Sequence, residues 1–310
     1  MLKGKDLLSL HDLSVDEIAE ILELAADLKA MQQNGIEHHL LKGKTLGMIF
    51  EKSSTRTRVS FETGMFQLGG QALFLSNRDL QIGRGEPIED TARVLSRYLD
   101  GIMIRTFAHS TVEEFAEWAS VPVINALTDL LHPCQVLADL QTIREHHGKN
   151  LKGLKLAYIG DGNNMAHSLM YGCAKMGMHF AAATPQGYEP NKAVVENAIE
   201  DAKETGASIT LTNSVFEAAQ DADILYTDVW TSMGEEAERE QRLKDLAGYQ
   251  INKNLLAKAS KRCIVMHCLP AHRGEEITAD VLEANADVIF DEAENRLHAQ
   301  KAVMALLMAD

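Results

Sequence analysis

Short apolar runs rich in β-branched residues alternate with longer helical patterns along the whole chain of 310 residues. This alternation is typical of βα units, in which a helix connects each strand to the next parallel strand. A chain of this length has room for about two domains, so we expect an α/β fold with two doubly wound parallel-sheet domains. The predicted strands are 45–50, 72–75, 101–105, 121–125, 155–160, 179–184, 208–213, 222–229, 263–269 and 286–290.

A polar, glycine-flanked segment, GKNLKG at 148–153, separates the two series of predicted strands. We therefore predict that residues 1–148 form the first domain and residues 149–291 the second. The last predicted helix ends in the apolar stretch KAVMALLM, which must pack against something. We expect this helix, residues 292–310, to return to the first domain.

Composition limits the partners and the location of the protein. The net charge of -15 argues against nucleic acid and anionic membranes, because both would be repelled. No stretch approaches the ~18 apolar residues of a membrane span, and the N-terminus lacks a signal-peptide pattern, so we expect a cytoplasmic protein. The four cysteines form no CxxC pair and no H-E-x-x-H motif is present, so we expect reduced thiols, no metal and no cofactor.

Unusual polar clusters lie at the ends of six predicted strands. Ligands of open α/β sheets bind outside the carboxyl ends of the strands, so these clusters mark a candidate site. An anionic ligand would need a local cationic pocket there, because the chain as a whole is acidic. The clusters are EKSSTRTR (51–58), Arg105, HPCQ (132–135), GDGNN (160–164), DVWTSMG (228–234) and HCLP (267–270).

The cluster EKSSTRTR has the composition of an anion site. A helix that begins near Ser54 offers free backbone N–H groups, hydroxyl donors and a positive dipole end, which together suit a phosphate. Arg56 could add a bidentate contact. Arg58 cannot face the same ligand equally, and it has Glu62 four residues later as an ion-pair partner. The alternative is a capped surface helix that binds nothing.

In HPCQ, Pro133 suits the first position of a helix and places His132 at the N-cap. The positive helix end disfavours the imidazolium ion there, so His132 is expected to be a neutral hydrogen-bond donor. In GDGNN, a dinucleotide-binding loop would require Gly or Ala where the chain has Met165. The amides of Asn163 and Asn164 could instead bind a carboxylate, or cap a helix.

The last two clusters suit an amine substrate. Asp228 ends a strand and is followed by the hydroxyl of Ser232, and such a loop can hold an ammonium group. In HCLP, Cys268 could take part in proton transfer beside His267 and an acid. The alternatives are a polar loop and a small buried hydrophobic residue.

The motifs S-T-R-T-R, H-P-C-Q, D-x-x-x-S-M-G and H-C-L-P, in this order, resemble those of the aspartate/ornithine carbamoyltransferase family. The resemblance runs from LSLHDLS to ENRLHAQKAVM and is strongest to the ornithine-using members. It implies transfer of the carbamoyl group of carbamoyl phosphate to the side-chain amine of L-ornithine, which yields citrulline and phosphate in arginine metabolism. It also implies a carbamoyl-phosphate domain, an ornithine domain and an active site between them.

The resemblance further assigns residues to the two substrates and implies a homotrimer or a multiple of trimers. Arg105, His132 and Cys268 would be catalytic. Ornithine would be bound by Asn164, Asp228, Ser232 and Met233. Carbamoyl phosphate would be bound by Ser54, Thr55, Arg56, Thr57, Gln81, Arg105, His132, Gln135, Cys268, Leu269 and Arg296.

Charge distinguishes between possible second substrates. Asp228 and the acidic stretch at 235–240 would repel aspartate. Putrescine lacks the carboxylate that Asn164 would hold, and acetylornithine lacks the ammonium that Asp228 would hold, but carbamoyl transfer to either remains an alternative. A nicotinamide-dependent dehydrogenase is the alternative from another enzyme class, and a catalytically silent paralogue is the non-enzymatic one.

Overall fold

The computed structural model describes residues 2–76, 80, 85–231 and 236–309. The chain divides into two compact units. Unit 1 is Met1–Gln141 with Glu294–Asp310, and unit 2 is Thr142–Ala293. The boundaries expected from the sequence, 148/149 and 291/292, fall a few residues from the boundaries of these units. That the two domains bind the two substrates stays a prediction. Within the described ranges, every helix is too short or too polar to cross a membrane.

Unit 1 contains a four-stranded parallel sheet with the order β2-β1-β3-β4. Its central strands are buried on both faces, as expected where helices cover a parallel sheet. The strands are β1 Thr45–Phe50, β2 Gln71–Ser76, β3 Gly101–Arg105 and β4 Val123–Leu127. The helices are α1 Val15–Gln33, α2 Thr55–Gln67, α3 Ile88–Leu95, α4 His109–Trp118 and α5 Pro133–His147, the last of which continues into unit 2.

Unit 2 contains a five-stranded parallel sheet with the order β7-β6-β5-β8-β9. Its strands are β5 Lys155–Ile159, β6 His179–Ala183, β7 Ile209–Thr212, β8 Ile224–Thr227 and β9 Ile264–His267. Its helices are α6 Asn164–Lys175, α7 Lys192–Thr205, α8 Val215–Ala219, a 3-10 turn at Glu236–Glu238, α9 Arg239–Asp245, α10 Lys253–Leu256 and α11 Ala279–Ala284. The final helix, α12 Ala286–Met308, begins in unit 2 and ends in unit 1. Two units that each hold a parallel sheet with flanking helices confirm the predicted fold class.

The strand order of each sheet reverses at one place, and four of the six polar clusters follow or end the strands beside these two places. In unit 1 the reversal falls between β1 and β3. Ser54 follows β1, and Arg105 is the last residue of β3, in register with Phe50. In unit 2 the reversal falls between β5 and β8, which precede Asn164 and Asp228. A switch point of this kind leaves a crevice at the carboxyl ends of the strands, where ligands bind.

All predicted strands are present except the last, with ends that differ by at most two residues. The prediction of a strand at 286–290 is wrong, because these residues form the first turns of α12. Between residues 286 and 297 of this helix the buried positions are 288, 289, 292, 295 and 296, which is helical rather than strand periodicity. The short apolar run VIF by itself favours a strand, but the spacing of buried positions continues as a helix beyond it. The predicted C-terminal helix 292–310 therefore begins earlier, at Ala286.

One glycine of the GDGNN loop is required by the packing of unit 2. A Cβ atom on Gly162 would lie 2.3 Å from the backbone nitrogen of Pro190 and 2.6 Å from the carbonyl oxygen of Tyr188. The Gly162 N–H donates to that same Tyr188 oxygen at 2.8 Å. Close contact between two backbone segments explains this glycine without a bound dinucleotide.

We expect Gly162→Ala to lower the free energy of unfolding by about 1–3 kcal/mol, because the backbone at 188–190 must move to admit a methyl group. Urea unfolding followed by circular dichroism measures this change. Gly248→Ala is the matched control, since a Cβ atom there meets nothing within 4 Å. A loss from Gly162→Ala no larger than that from the control would contradict the packing explanation.

Candidate active site

The turn between β1 and α2 is shaped by the N-cap residue Ser54. Its backbone is extended, with φ -161° and ψ 117°, and its side-chain oxygen accepts a hydrogen bond from the Thr57 N–H at 3.2 Å. This bond fixes the start of a helix whose first-turn N–H groups have no partners within the helix itself. The arrangement suits an anion beside Ser54, Thr55 and Arg56, as the sequence predicts.

Two arginines of unit 1 that are far from Thr57 in the sequence contact its side chain. Its buried hydroxyl oxygen accepts hydrogen bonds from Arg296 Nη2 at 3.1 Å and from Arg105 Nη1 at 3.5 Å. Arg296 Nη1 also donates to Gln135 Oε1 at 2.8 Å, and Gln135 Nε2 donates to Asp139 at 2.9 Å. The structure therefore brings together four residues that the resemblance assigns to carbamoyl phosphate: Thr57, Arg105, Gln135 and Arg296.

His132 lies buried directly before α5, and its carbonyl oxygen accepts the first hydrogen bonds of that helix. Burial lowers the pKa of His132 well below its usual 6.5, and the charges of Arg296, Arg105 and Arg56 lower it further. His132 is therefore neutral at physiological pH, as predicted, although burial and the three arginines, rather than the helix end alone, are the cause. The same three arginines make this part of an acidic protein locally cationic.

The two arginines of the STRTR motif occupy different surroundings. Arg58 Nε donates to Glu62 Oε1 at 3.0 Å, and its guanidinium group lies 3.8 Å from the centre of the Phe74 ring. Arg56 is half-buried and contributes to the electrostatic field at His132. The predicted ion pair of Arg58 with Glu62 is thus present, and the charge of Arg56 acts on His132.

In unit 2, Asp228 is the centre of a second cluster. Its carboxylate accepts hydrogen bonds from Asn163 Nδ2 at 2.9 Å, from the Cys268 thiol at 3.1 Å and from the Val229 N–H at 2.8 Å. Asp228 and Cys268 follow the neighbouring strands β8 and β9, while Asn163 follows β5. The predicted pairing of an acid with the strand-end cysteine is present.

Asn163 has a structural role that differs from the role expected for Asn164. The Asn163 side-chain oxygen caps α6 by accepting from the N–H groups of Met165 at 2.9 Å and Ala166 at 3.2 Å, and it also accepts from the Tyr158 hydroxyl at 3.1 Å. Burial raises the pKa of Tyr158 well above its usual value, so the phenol keeps its proton. Asn163 thereby orients Asp228, and the half-buried Asn164 is the first residue of the helix.

His267 lies close to Cys268 and Asp228, as the sequence predicts, since a ring nitrogen, the thiol sulfur and a carboxylate oxygen lie within 4.8 Å of one another. The hydrogen bonds of its ring, however, go to other residues. Its Nε2 lies 3.0 Å from Glu276 Oε1, and its Nδ1 accepts the Leu269 N–H at 2.9 Å. Both ring nitrogens are therefore already engaged, and the hydrogen bond of the Cys268 thiol goes to Asp228. His267 instead contacts the backbone of Leu269, another predicted site residue.

Sequence reasoning did not find the residues that hold these clusters in place. The buried Arg242 donates to Asp161 Oδ2 at 2.5 Å and to the Trp230 carbonyl oxygen at 3.1 Å, which anchors the loop after Asp228. Glu276 holds the His267 ring. Neither residue belongs to a motif, so only the fold reveals its partner. Three predicted site residues, Gln81, Ser232 and Met233, lie outside the described residues.

Known proteins match this chain over both units. Residues 5–145 match the carbamoyl-P binding domain of aspartate/ornithine carbamoyltransferase, and residues 152–307 match its Asp/Orn binding domain. The chain belongs to the aspartate/ornithine carbamoyltransferase family. Membership agrees with the two clusters, because one unit carries cations around a helix start and the other carries an acid beside an amide and a thiol.

Individual relatives are similar over their full length. The chain is 63% identical to ornithine carbamoyltransferase of Oceanobacillus iheyensis over 309 residues, which cover 100% of this chain and 96% of that protein. It is 61% identical to ornithine carbamoyltransferase of Anoxybacillus flavithermus, with 99% and 98% covered. A solved structure of ornithine carbamoyltransferase from Pyrococcus furiosus has a TM-score of 0.96 at 55% identity, with 99% of this chain and 98% of that chain covered.

We expect Arg56→Gln to raise the Kd for carbamoyl phosphate by at least about tenfold, because a hydrogen bond from a charged donor contributes roughly 1.5–3 kcal/mol. Isothermal titration calorimetry measures this constant. Arg58→Gln is the matched control in the same helix and should change the Kd by less than about twofold, since its ion pair with Glu62 lies at the surface. Equal effects of the two substitutions would contradict the assignment of Arg56.

Proposed function

We propose that this protein transfers the carbamoyl group of carbamoyl phosphate to the side-chain amine of L-ornithine and produces citrulline and phosphate. The observation that carries the proposal is the convergence of Arg105 and Arg296 on Thr57 beside the neutral His132. Relatives up to 63% identical over the whole chain that bear the name ornithine carbamoyltransferase support it. The expected cytoplasmic location and place in arginine metabolism belong to the same proposal.

In this proposal, unit 1 binds carbamoyl phosphate. The start of α2, with Ser54, Thr55, Arg56 and Thr57, holds the phosphate group. Arg105 contacts both the phosphate and the carbonyl oxygen, and His132 donates a hydrogen bond to that oxygen. The remaining members of the predicted set are Gln81, Gln135 and Arg296 in unit 1, and Cys268 and Leu269 in unit 2.

The proposed reaction begins when the amine nitrogen of ornithine attacks the carbonyl carbon. The carbonyl electrons move to oxygen, which gives a tetrahedral oxyanion. When the C=O bond re-forms, the C–O bond to phosphate breaks and phosphate leaves with the electron pair. The attacking nitrogen, which then carries two hydrogens, gives one of them as a proton to the departing phosphate and becomes the neutral N–H of the product. Arg105, His132 and Thr57 would stabilise the oxyanion, and a single donor in such a position can contribute about 3 kcal/mol.

Unit 2 provides the groups proposed to bind ornithine. Asn164 at the start of α6 would hold the α-carboxylate, and Asp228 would hold the α-ammonium group, with Ser232 and Met233 as further predicted contacts. The amide and the carboxylate follow β5 and β8, on either side of the switch point of the sheet. A zwitterion with a cationic tail fits this pair, whereas aspartate would add a second carboxylate close to Asp228.

The side-chain amine of ornithine must lose a proton before it attacks, because its pKa should be close to that of lysine, ~10.4. Cys268 is the proposed acceptor of this proton. Its thiol donates to Asp228 Oδ1 at 3.1 Å, so the thiol proton can pass to that carboxylate as the amine proton reaches sulfur. Sulfur thus loses one proton and gains another.

We expect Cys268→Ala to lower kcat by about 100-fold or more, since proton transfer by a positioned side chain typically contributes 10²–10⁴-fold. The Kd for carbamoyl phosphate should change by less than about threefold if the thiol acts mainly on the amine. Cys263→Ala is the control, because burial raises the pKa of that thiol to about 12 and it lies before the same strand. Turnover of Cys268→Ala close to that of the wild type from pH 7 to 9 would exclude this role.

A citrulline assay tests the proposed function itself. With carbamoyl phosphate present, we expect ornithine to be carbamoylated at least 100-fold faster than putrescine, acetylornithine or aspartate. Putrescine lacks the carboxylate that Asn164 would hold, acetylornithine lacks the ammonium that Asp228 would hold, and aspartate brings a second carboxylate close to Asp228. Ureido products are measured side by side by mass spectrometry. A preference for putrescine or acetylornithine would replace ornithine as the substrate, and the absence of any product would favour a catalytically silent paralogue.

We also propose that the protein is a homotrimer or a multiple of trimers, as the family resemblance implies. Apolar side chains on α2 and on the edge strand β2 support self-association. Phe66 is 79% exposed, and Val59, Leu73 and Phe74 are exposed as well. An edge strand with exposed apolar residues is a surface that natural proteins usually cover.

A further inference from the structure

The segment between Cys268 and Pro270 has an unusual backbone conformation. Leu269 has φ +55°, in the left-handed region that a leucine rarely adopts. Such a conformation persists only where the surrounding contacts hold it, and it is often found at functional sites. Leu269 and Cys268 are both predicted site residues, so the contacts that hold this segment bear on the reaction.

The side chain of His267 supplies one of these contacts. Its Nδ1 lies 2.9 Å from the Leu269 backbone nitrogen. Because a backbone N–H only donates, Nδ1 must be the acceptor and carries no proton. The proton of the neutral ring is then on Nε2, which donates to Glu276 Oε1 at 3.0 Å. The acceptor on Glu276 thus selects the tautomer that Leu269 needs.

Glu276 also holds the far end of the same segment. Its Oε1 accepts the His272 N–H at 2.5 Å, in addition to the bond from His267. The side chains of Glu276 and His267 are both 0% exposed, so water cannot readily replace either bond. One carboxylate oxygen therefore connects residues 267 and 272, on the two sides of Cys268 and Leu269.

We propose that Glu276 is a positioning residue for carbamoyl transfer: through His267 it fixes the conformation of Leu269 and the placement of the Cys268 thiol against Asp228. The inference rests on the function proposed for Cys268 and Leu269. Glu276 contacts neither of these residues through the bonds described, and acts on them only through His267.

A separate contact holds the strand itself. The His267 N–H donates to Glu292 Oε2 at 2.9 Å, and the Tyr226 hydroxyl donates to Glu292 Oε1 at 3.0 Å. Glu292 thus anchors the end of β9, while Glu276 anchors the segment beyond it. Substitution of Glu276 should therefore release the segment 268–271 and leave the sheet intact.

Two substitutions test whether Glu276 acts through the position of its acceptor oxygen or through its negative charge. Glu276→Gln keeps a carbonyl oxygen where Oε1 accepts both hydrogen bonds, and we expect kcat with ornithine to stay within threefold of the wild type. Glu276→Asp keeps the charge but is one methylene shorter, and kcat should fall at least tenfold. Glu283→Gln is the control, since that side chain is 62% exposed and pairs with Arg273 at the surface. Urea unfolding verifies that each variant is folded.

The alkylation rate of Cys268 gives a readout that a general loss of stability would not move selectively. Iodoacetamide labelling, followed by mass spectrometry of the Cys268 and Cys263 peptides, should give a Cys268/Cys263 rate ratio at least fivefold higher in Glu276→Asp than in the wild type. The reason is that the thiol loses its fixed hydrogen bond to Asp228. In Glu276→Gln the ratio should stay within twofold.

The proposal is overturned if kcat of Glu276→Asp lies within twofold of the wild type, or if Glu276→Gln is as impaired as Glu276→Asp. If Glu276→Asp does not fold, His267→Asn removes the same hydrogen bond, the one between residues 267 and 276. The asparagine oxygen can still accept the Leu269 N–H, but the side chain is too short to reach Glu276. The same tenfold and twofold limits on kcat then decide. Wild-type turnover in Cys268→Ala would end the proton-transfer role alone, since the labelling ratios still report whether Glu276 holds the segment.

Discussion

Unit 1 depends on holding three arginines close to one buried histidine. Arg56, Arg105 and Arg296 all lower the pKa of His132, so the histidine cannot add a fourth positive charge. Two of these arginines donate to the same threonine hydroxyl, which ties α2, β3 and α12 to one point. Like charges held together in a buried region are costly, and a bound anion lowers that cost. The local field thus favours an anionic ligand, although the chain carries a net charge of -15.

Unit 2 holds acidic side chains where unit 1 holds arginines, and its two acids, Asp161 and Asp228, have different partners. Burial raises the pKa of Asp161, and its hydrogen bond to Arg242 opposes that shift, so this acid is balanced by a cation. Asp228 instead receives hydrogen bonds from an amide, a thiol and a backbone N–H, which orient it without neutralising its charge. A carboxylate in such a setting suits a cationic ligand group, which is consistent with ornithine as the proposed second substrate.

The parallel sheets explain why both clusters form at all. Every strand in such a sheet ends at the same edge, and the reversal of strand order leaves room there for side chains of non-consecutive elements. Residues far apart in the chain meet as a result: Thr57 and Arg296 are separated by 239 positions, and Asp228 and Cys268 by 40. Second-layer contacts, such as His267 with Glu276, then fix the orientation of the groups at that edge.

The sequence by itself determined the class of fold, nearly all the strands and the helix that begins at the STRTR segment, because these depend on local periodicity and on residues adjacent in the chain. Anion binding by that segment stays a prediction. The sequence misjudged 286–290, where a short apolar run looked like a strand and only continuation through Ala299 revealed a helix. Arg296 and Gln135 entered through the family resemblance rather than through any local pattern. Only the tertiary structure decided that the ring nitrogens of His267 form hydrogen bonds with Leu269 and Glu276, and that Asn163 orients Asp228. Such hydrogen bonds join separate elements at distances of about 3 Å, and no spacing along the chain specifies them.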